Sequence, residues 1–159
     1  EGLAVEQSLG EQLIRGLLAG EIDGKLASDT AAGWRGDELF AFLDGAQITT
    51  VWYSAWTSPN QAAAFLRVYQ NILERRQRIR FERPSELSLH SLSGRTRDNR
   101  GVWLQAQGPV VLFLGGVPID RLREIANEAW RDLEIESDPT AIRFDSVRRE
   151  IKRHQLSVN

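Results

Sequence analysis

The segment Ala31-Ala32-Gly33-Trp34-Arg35-Gly36-Asp37-Glu38-Leu39-Phe40 constrains this chain more than any other. A helical run ends on Gly33, and a tryptophan, a second glycine and an acid then lead into apolar, strand-forming residues. That junction demands particular backbone geometry, and the residues after it set the fold class. Asp37 to Leu43 and Ile48 to Trp56 read as two strands, with Asp44-Gly45 between them as a strong hairpin signal. The second strand is rich in β-branched and aromatic residues. Alternation places Trp52, Ser54 and Trp56 on one face and Val51, Tyr53 and Ala55 on the other.

Helix signals flank this hairpin. Leu9, Leu13, Ile14, Leu17 and Leu18 recur near helical spacing and predict a helix from Val5 to Leu18, ended by Gly20. A shorter helix is expected from about Gly24 to Ala32, with Gly33 as its left-handed cap. Ser58-Pro59-Asn60-Gln61 is the best helix start in the chain: a capping serine, a proline at the first helical position and a glutamine to close a capping box. Ala62, Phe65, Leu66, Tyr69, Ile72 and Leu73 continue as one apolar stripe.

Arg75 to Arg83 reads as a basic exit closed by Pro84. A short strand is expected within Glu86 to Leu92 and a polar loop over Ser93 to Arg100. Gly101 to Ala106 and Val110 to Leu114 form a second hairpin around Gln107-Gly108-Pro109, and Gly115-Gly116 is read as its end. A helix from Pro118 to about Leu133 turns Leu122, Ile125, Ala126, Ala129 and Leu133 inward, and an amphipathic piece spans Phe144 to His154. The sum predicts an α+β protein with helices on one side of an antiparallel sheet of four or five strands, built from two β-hairpins each followed by a helix. N-terminal helices (1–33) pack beside this α+β unit (34–133), and a tail (134–159) follows.

Composition narrows the chemistry. At 159 residues the chain can bury a core without staples. It has no cysteine, which removes disulfides, thiolate metal sites and cysteine nucleophiles. It has no methionine, even at position 1, which is read as a processed or excised chain. No apolar run approaches the ~20 residues of a membrane-spanning helix. Two histidines far apart, His90 and His154, and no His-Glu-x-x-His motif argue against a zinc site. Ser88-Leu89-His90-Ser91 lies in no nucleophile-elbow pattern. Asp37-Glu38 suits a strand start and Glu134 to Asp138 a solvated linker. No glycine-rich loop continues into Lys-Ser/Thr, so neither cofactor nor metal is expected.

Net charge is −2, yet only Lys25 and Lys152 are lysines and the other eighteen basic residues are arginine. Arg75, Arg76, Arg78, Arg80 and Arg83 crowd the end of the third helix; Arg95, Arg97 and Arg100 follow, and Arg148, Arg149, Lys152 and Arg153 form another cluster. Helix-dipole complementation explains part of the first cluster. The acidic pI of 5.8 favours an acidic protein surface or neighbouring domain over nucleic acid. Arg35-Gly36-Asp37 spells an integrin-binding tripeptide, discounted as a chance match.

Leu9-Gly10-Glu11 before a helix, the Ala-Gly-Trp-x-Gly-Asp junction, the Val51 to Ser58 strand end with Ala63 and Phe65, and the closing Gly115-Gly116-Val117-Pro118 resemble one bacterial pattern. It is similar to the C-terminal region of uncharacterised exported zincin-like metallopeptidases and their degenerate relatives. Arg35, Glu38 and Thr57 depart from that pattern, and the zinc-binding helix has no counterpart here. The resemblance implies a companion domain without catalysis of its own, exported or envelope-associated. The expected function is a non-catalytic accessory or protein-interaction domain, with Trp34, Arg35, Trp52, Trp56, Arg76 and Arg80 as interaction candidates and Gly33 and Gly36 holding the turn. The alternatives are part of a zinc metallopeptidase completed elsewhere, and an anion or nucleic-acid binder using the arginines.

Overall fold

The computed structural model describes residues 2–82, 91–131 and 133. In chain order the elements are β1 (Gly2–Gln7), α1 (Gly10–Ala19), α2 (Gly24–Ala31), β2 (Trp34–Asp44), β3 (Gln47–Trp56) and α3 (Pro59–Arg76). Then come β4 (Arg80–Glu82), β5 (Ser91–Arg95), β6 (Gly101–Gln107), β7 (Val110–Val117), a 3₁₀ turn (Ile119–Arg121) and α4 (Leu122–Arg131). The protein is α+β, as expected. Among the described residues the sheet has seven strands in the order β1-β2-β3-β7-β6-β5-β4, every neighbouring pair antiparallel. No described helix is long and apolar enough to cross a membrane.

The sheet exceeds the four or five strands expected because two edge strands hide in the sequence. Residues 5–7 belong to β1, not to a helix, because Gly10 takes φ +77° and stops helical geometry from extending backward. The helical spacing belongs to α1 alone, which buries Ile14 and Leu18. At the other edge, the basic exit after α3 contains β4, and Ser93 to Arg95 lie in β5 rather than a loop. The strand expected within Glu86 to Leu92 falls mostly among residues 83–90, outside the described residues, as does the tail piece from Phe144 to His154.

Alternation along β3 divides the core as predicted. Trp52 and Trp56 face a cluster with Phe65, Leu66, Ile72 and Leu73 of α3 and with Ile14 and Leu18 of α1. Val51 and Tyr53 face the opposite cluster, with Phe40, Leu112, Leu114 and the α4 residues Leu122 and Ala126. Helices therefore cover both faces, a correction to the expected one-sided arrangement. Two polar ties fix α4 there: Tyr53 donates its hydroxyl to the Ala129 carbonyl at 3.0 Å, and Trp130 Nε1 donates to Gln105 Oε1 at 2.7 Å. The helix itself spans Leu122–Arg131, after the 3₁₀ turn.

Three local expectations change. Gly33 is not left-handed; its side-chain space is taken by Gln61, whose Cδ would lie 2.7 Å from a Cβ at that position. Only half of the capping box forms: Ser58 Oγ accepts the Gln61 N–H at 3.2 Å, while the Gln61 side chain is spent on the Gly33 contact. Gly115-Gly116 does not end β7. Gly116, at φ +73°, is the extra residue of a bulge opposite Gly101 and Val102, and the strand continues to Val117.

A Cβ at Gly116 would sit 2.1 Å from the Ile48 carbonyl oxygen, a backbone atom that cannot swing away. Gly116→Ala is expected to destabilise the fold by roughly 2–4 kcal/mol in urea denaturation, combining left-handed strain with displacement of β3.

Candidate functional site

The signature segment resolves into a structural centre. Asp37 is 6 % exposed, and its carboxylate accepts five hydrogen bonds. Ser8 Oγ donates at 2.9 Å, the Leu9 and Gly10 amides at 2.8 and 3.0 Å, and the indoles of Trp34 and Trp52 at 3.2 and 3.0 Å. The amides belong to the start of α1, which has no cap from its own N-terminal side chains. Asp37 thus caps α1 from another strand, where a negative charge also complements the helix dipole. Trp34 and Asp37, three apart, would face opposite sides of a regular strand. Register slips at Arg35: Trp34 opposes Trp56 and Gly36 opposes Ala55. The extra residue turns Trp34 and Asp37 onto the same face.

Five donors occupy about four lone-pair sites, so the Asp37 carboxylate is fully engaged in holding the structure together. Glu38 projects to the other face, so the adjacent acids do not form a pair. Trp52 and Trp56 are 2 % and 3 % exposed and offer no surface to a partner. Trp56 stacks on Phe65 at 4.4 Å between ring centroids and donates to Ser54 Oγ at 3.0 Å. Trp52 meets Phe65 and Tyr69 edge-on. Tyr69 is half-buried overall, but its ring is enclosed by Trp52, Phe65 and Phe113, and this burial pushes its phenol well above the ordinary tyrosine range. Trp34 is half-buried, and Arg35 is the exposed bulge residue, donating back to the Trp34 carbonyl at 3.3 Å. Arg76 pairs with Glu21 and ties α3 to the loop after α1.

Of the six interaction candidates, Arg80 lines a groove. This groove, of about 620 Å³, opens on the α4 face of the sheet at its β4 edge. Arg78, Arg80, Arg95, Arg97 and Arg123 line it, from the α3 exit, β4, β5, the β5–β6 turn and α4. Glu82 and Ser93 add polar groups, while Ile119 and Leu122 form an apolar wall. Trp103 lies beneath, 2 % exposed, with its indole donating to Gln105 Oε1 at 2.9 Å. Among the described residues, five guanidiniums and one carboxylate line the groove, a positive surface on a chain of net charge −2.

The backbone delivers these arginines at a cost. α3 carries the chain across the sheet and ends at Arg76; Gln77 caps it, and Arg78 then takes φ +55°. Glycine or asparagine is the usual choice there, because a Cβ disfavours that conformation by about 1–2 kcal/mol. The reversal lets the Ile79 N–H reach the Leu73 carbonyl at 3.4 Å, buries Ile79 and starts β4.

A family model described as a domain of unknown function (DUF8575) matches residues 2–126. The chain belongs to this family. The family's span contains the whole Asp37 centre and every groove arginine, including Arg123 of α4. Among curated proteins and among solved structures, no match to the chain is found. Among the described residues, no three His, Asp or Glu side chains gather as a metal site; His90 and His154 lie outside them. Arg78, Arg95 and Arg97 stand out in the sequence as members of separate basic clusters, and nothing in it joins those clusters to one another or to Arg123. A sheet edge and a helix on one face bring them together.

Asp37→Asn keeps the size but turns part of an acceptor into a donor facing donors. It is expected to cost about 2–4 kcal/mol in chemical denaturation. Arg78→Gly is expected to leave stability unchanged or raise it by about 0.5–1 kcal/mol by relieving the left-handed strain.

Proposed function

We propose that this chain is a non-catalytic interaction domain that docks an acidic segment of another protein, or of a neighbouring domain, in the arginine groove. The convergence of five arginines from separate elements on one concave face carries this reading. A dipole-complementing surplus would stay on the last turn of α3; Arg95, Arg97 and Arg123 lie far from it in sequence and still line the same groove. Charge complementarity of this kind steers encounter and sets specificity. A nucleic-acid strand fits less well. Glu82 interrupts the positive lining, and Trp103 is too covered to stack a base. A role as companion to a zinc-peptidase segment elsewhere in the same protein, and an exported or envelope setting, rest on the family resemblance alone. Both are compatible with a docking role.

The test is fluorescence anisotropy with a labelled decapeptide rich in glutamate. The combined variant Arg80→Glu/Arg123→Glu is expected to weaken binding tenfold or more, and raising salt from 50 to 300 mM is expected to weaken the unaltered chain. Arg35→Glu, at the opposite part of the sheet, serves as the control and is expected to bind normally. Equal loss in the control and the groove variant, or binding indifferent to both, refutes the groove as the docking site.

A further inference from the structure

The β4–β5 register carries the docking reading one step further. Arg80 and Arg95 are direct cross-strand partners, so their side chains leave the same face about 5 Å apart at Cβ. Like charges placed directly opposite destabilise a sheet unless an anion lies between them. Arg95 is also held in place: its Nη1 donates to Asn99 Oδ1 at 3.3 Å, and Asn99 itself takes φ +62° in the β5–β6 turn. That bond uses one of the five guanidinium N–H groups and leaves the rest for a ligand. Arg78, close to Arg80 in the chain and held left-handed, lines the same end of the groove. No ion pair between these three arginines and a carboxylate occurs among the described residues.

We propose that this end of the groove seats a phosphomonoester, carried as a phosphorylated serine or threonine on the docking segment, with its oxygens bridging Arg80 and Arg95. The inference rests on the groove being the docking site. A carboxylate brings one charge and is satisfied by a single bidentate arginine. Two opposed guanidiniums with a third beside them match a group of nearly two negative charges and three acceptor oxygens. Glu82, two residues beyond Arg80 in the same lining, interrupts the positive surface and disfavours a continuous polyanion. The ligand is a chain segment rather than a free metabolite because the groove lies at the sheet margin. β4 stands at the end of the described strand order, and Ile119 and Leu122 of the same groove offer contact for an apolar side chain of an extended segment.

The probes are a labelled Gly/Ser/Asp decapeptide with one central phosphoserine, its serine and glutamate counterparts, inorganic phosphate, and a single-stranded decanucleotide, all titrated into the full chain. The phosphopeptide is expected to bind at least tenfold tighter than the glutamate peptide and to be displaced by millimolar phosphate. Arg80→Gln and Arg95→Gln are each expected to remove most of that preference. Both side chains are exposed, so the folded state is expected to survive, and separating the opposed charges is expected to hold or raise the thermal midpoint. Equal binding of phosphorylated and glutamate peptides overturns the phosphate site and leaves the acidic docking reading standing. Tighter binding of the decanucleotide, or of inorganic phosphate without the phosphopeptide, overturns the choice of a protein segment. Failure of every peptide to bind removes both readings.

Discussion

One buried carboxylate organises this molecule. Asp37 draws two amides and a hydroxyl from the start of α1 and two indoles from β2 and β3 to a single point. A charge in such surroundings is tolerable only when its oxygens are fully answered, so each donor is held in place by the others. The helix start, the bulged strand and the aromatic strand are thereby locked in mutual position. The aromatic stack of Trp52, Trp56, Phe65 and Tyr69 then fills the space above the sheet and seats α3. Since α3 sets where β4 begins, the groove at the far edge inherits its geometry from the Asp37 centre.

The division of labour between the two faces follows from alternation. One face is closed by three helices and carries most of the aromatic packing. The other carries α4, tied through Gln105 and Tyr53, and at its margin the groove. Polar strain concentrates at that margin: a left-handed arginine, a left-handed asparagine and two arginines opposed across a strand pair. The buried remainder is mainly apolar, and its polar groups Asp37, Ser54 and Gln105 are hydrogen-bonded. Frustration confined to one solvent-facing corner of an otherwise consistent fold is what a binding surface looks like in energetic terms.

Elements with a strong local signal were legible in the sequence. The Asp44-Gly45 hairpin, the two faces of β3, the Ser58 start of α3 and its apolar stripe are all present as the residues imply. The edge strands were not, because β1 and β4 are short or largely exposed and owe their extended form to neighbours remote in sequence. The signature segment could be recognised as demanding but not explained. Its spacing makes sense only once Arg35 is seen to be a bulge, a property of pairing with β3 and not of the segment itself. Trp52 and Trp56 were placed on the correct face, yet a strand's pattern cannot say that its covering helix encloses them. The groove was hidden for the same reason, since Arg123 joins Arg80 only through tertiary placement.

The strand order has a kinetic corollary. β1-β2-β3 and β7-β6-β5-β4 are each stitched from antiparallel neighbours, and the two halves pair where Thr50 to Ala55 align with Val110 to Gly115. That seam must close a loop holding all of α3 and β4 to β6, so its entropy is lost before any reward arrives. The central β3–β7 ladder, the most sheltered part of the finished sheet, is therefore expected to form late in folding.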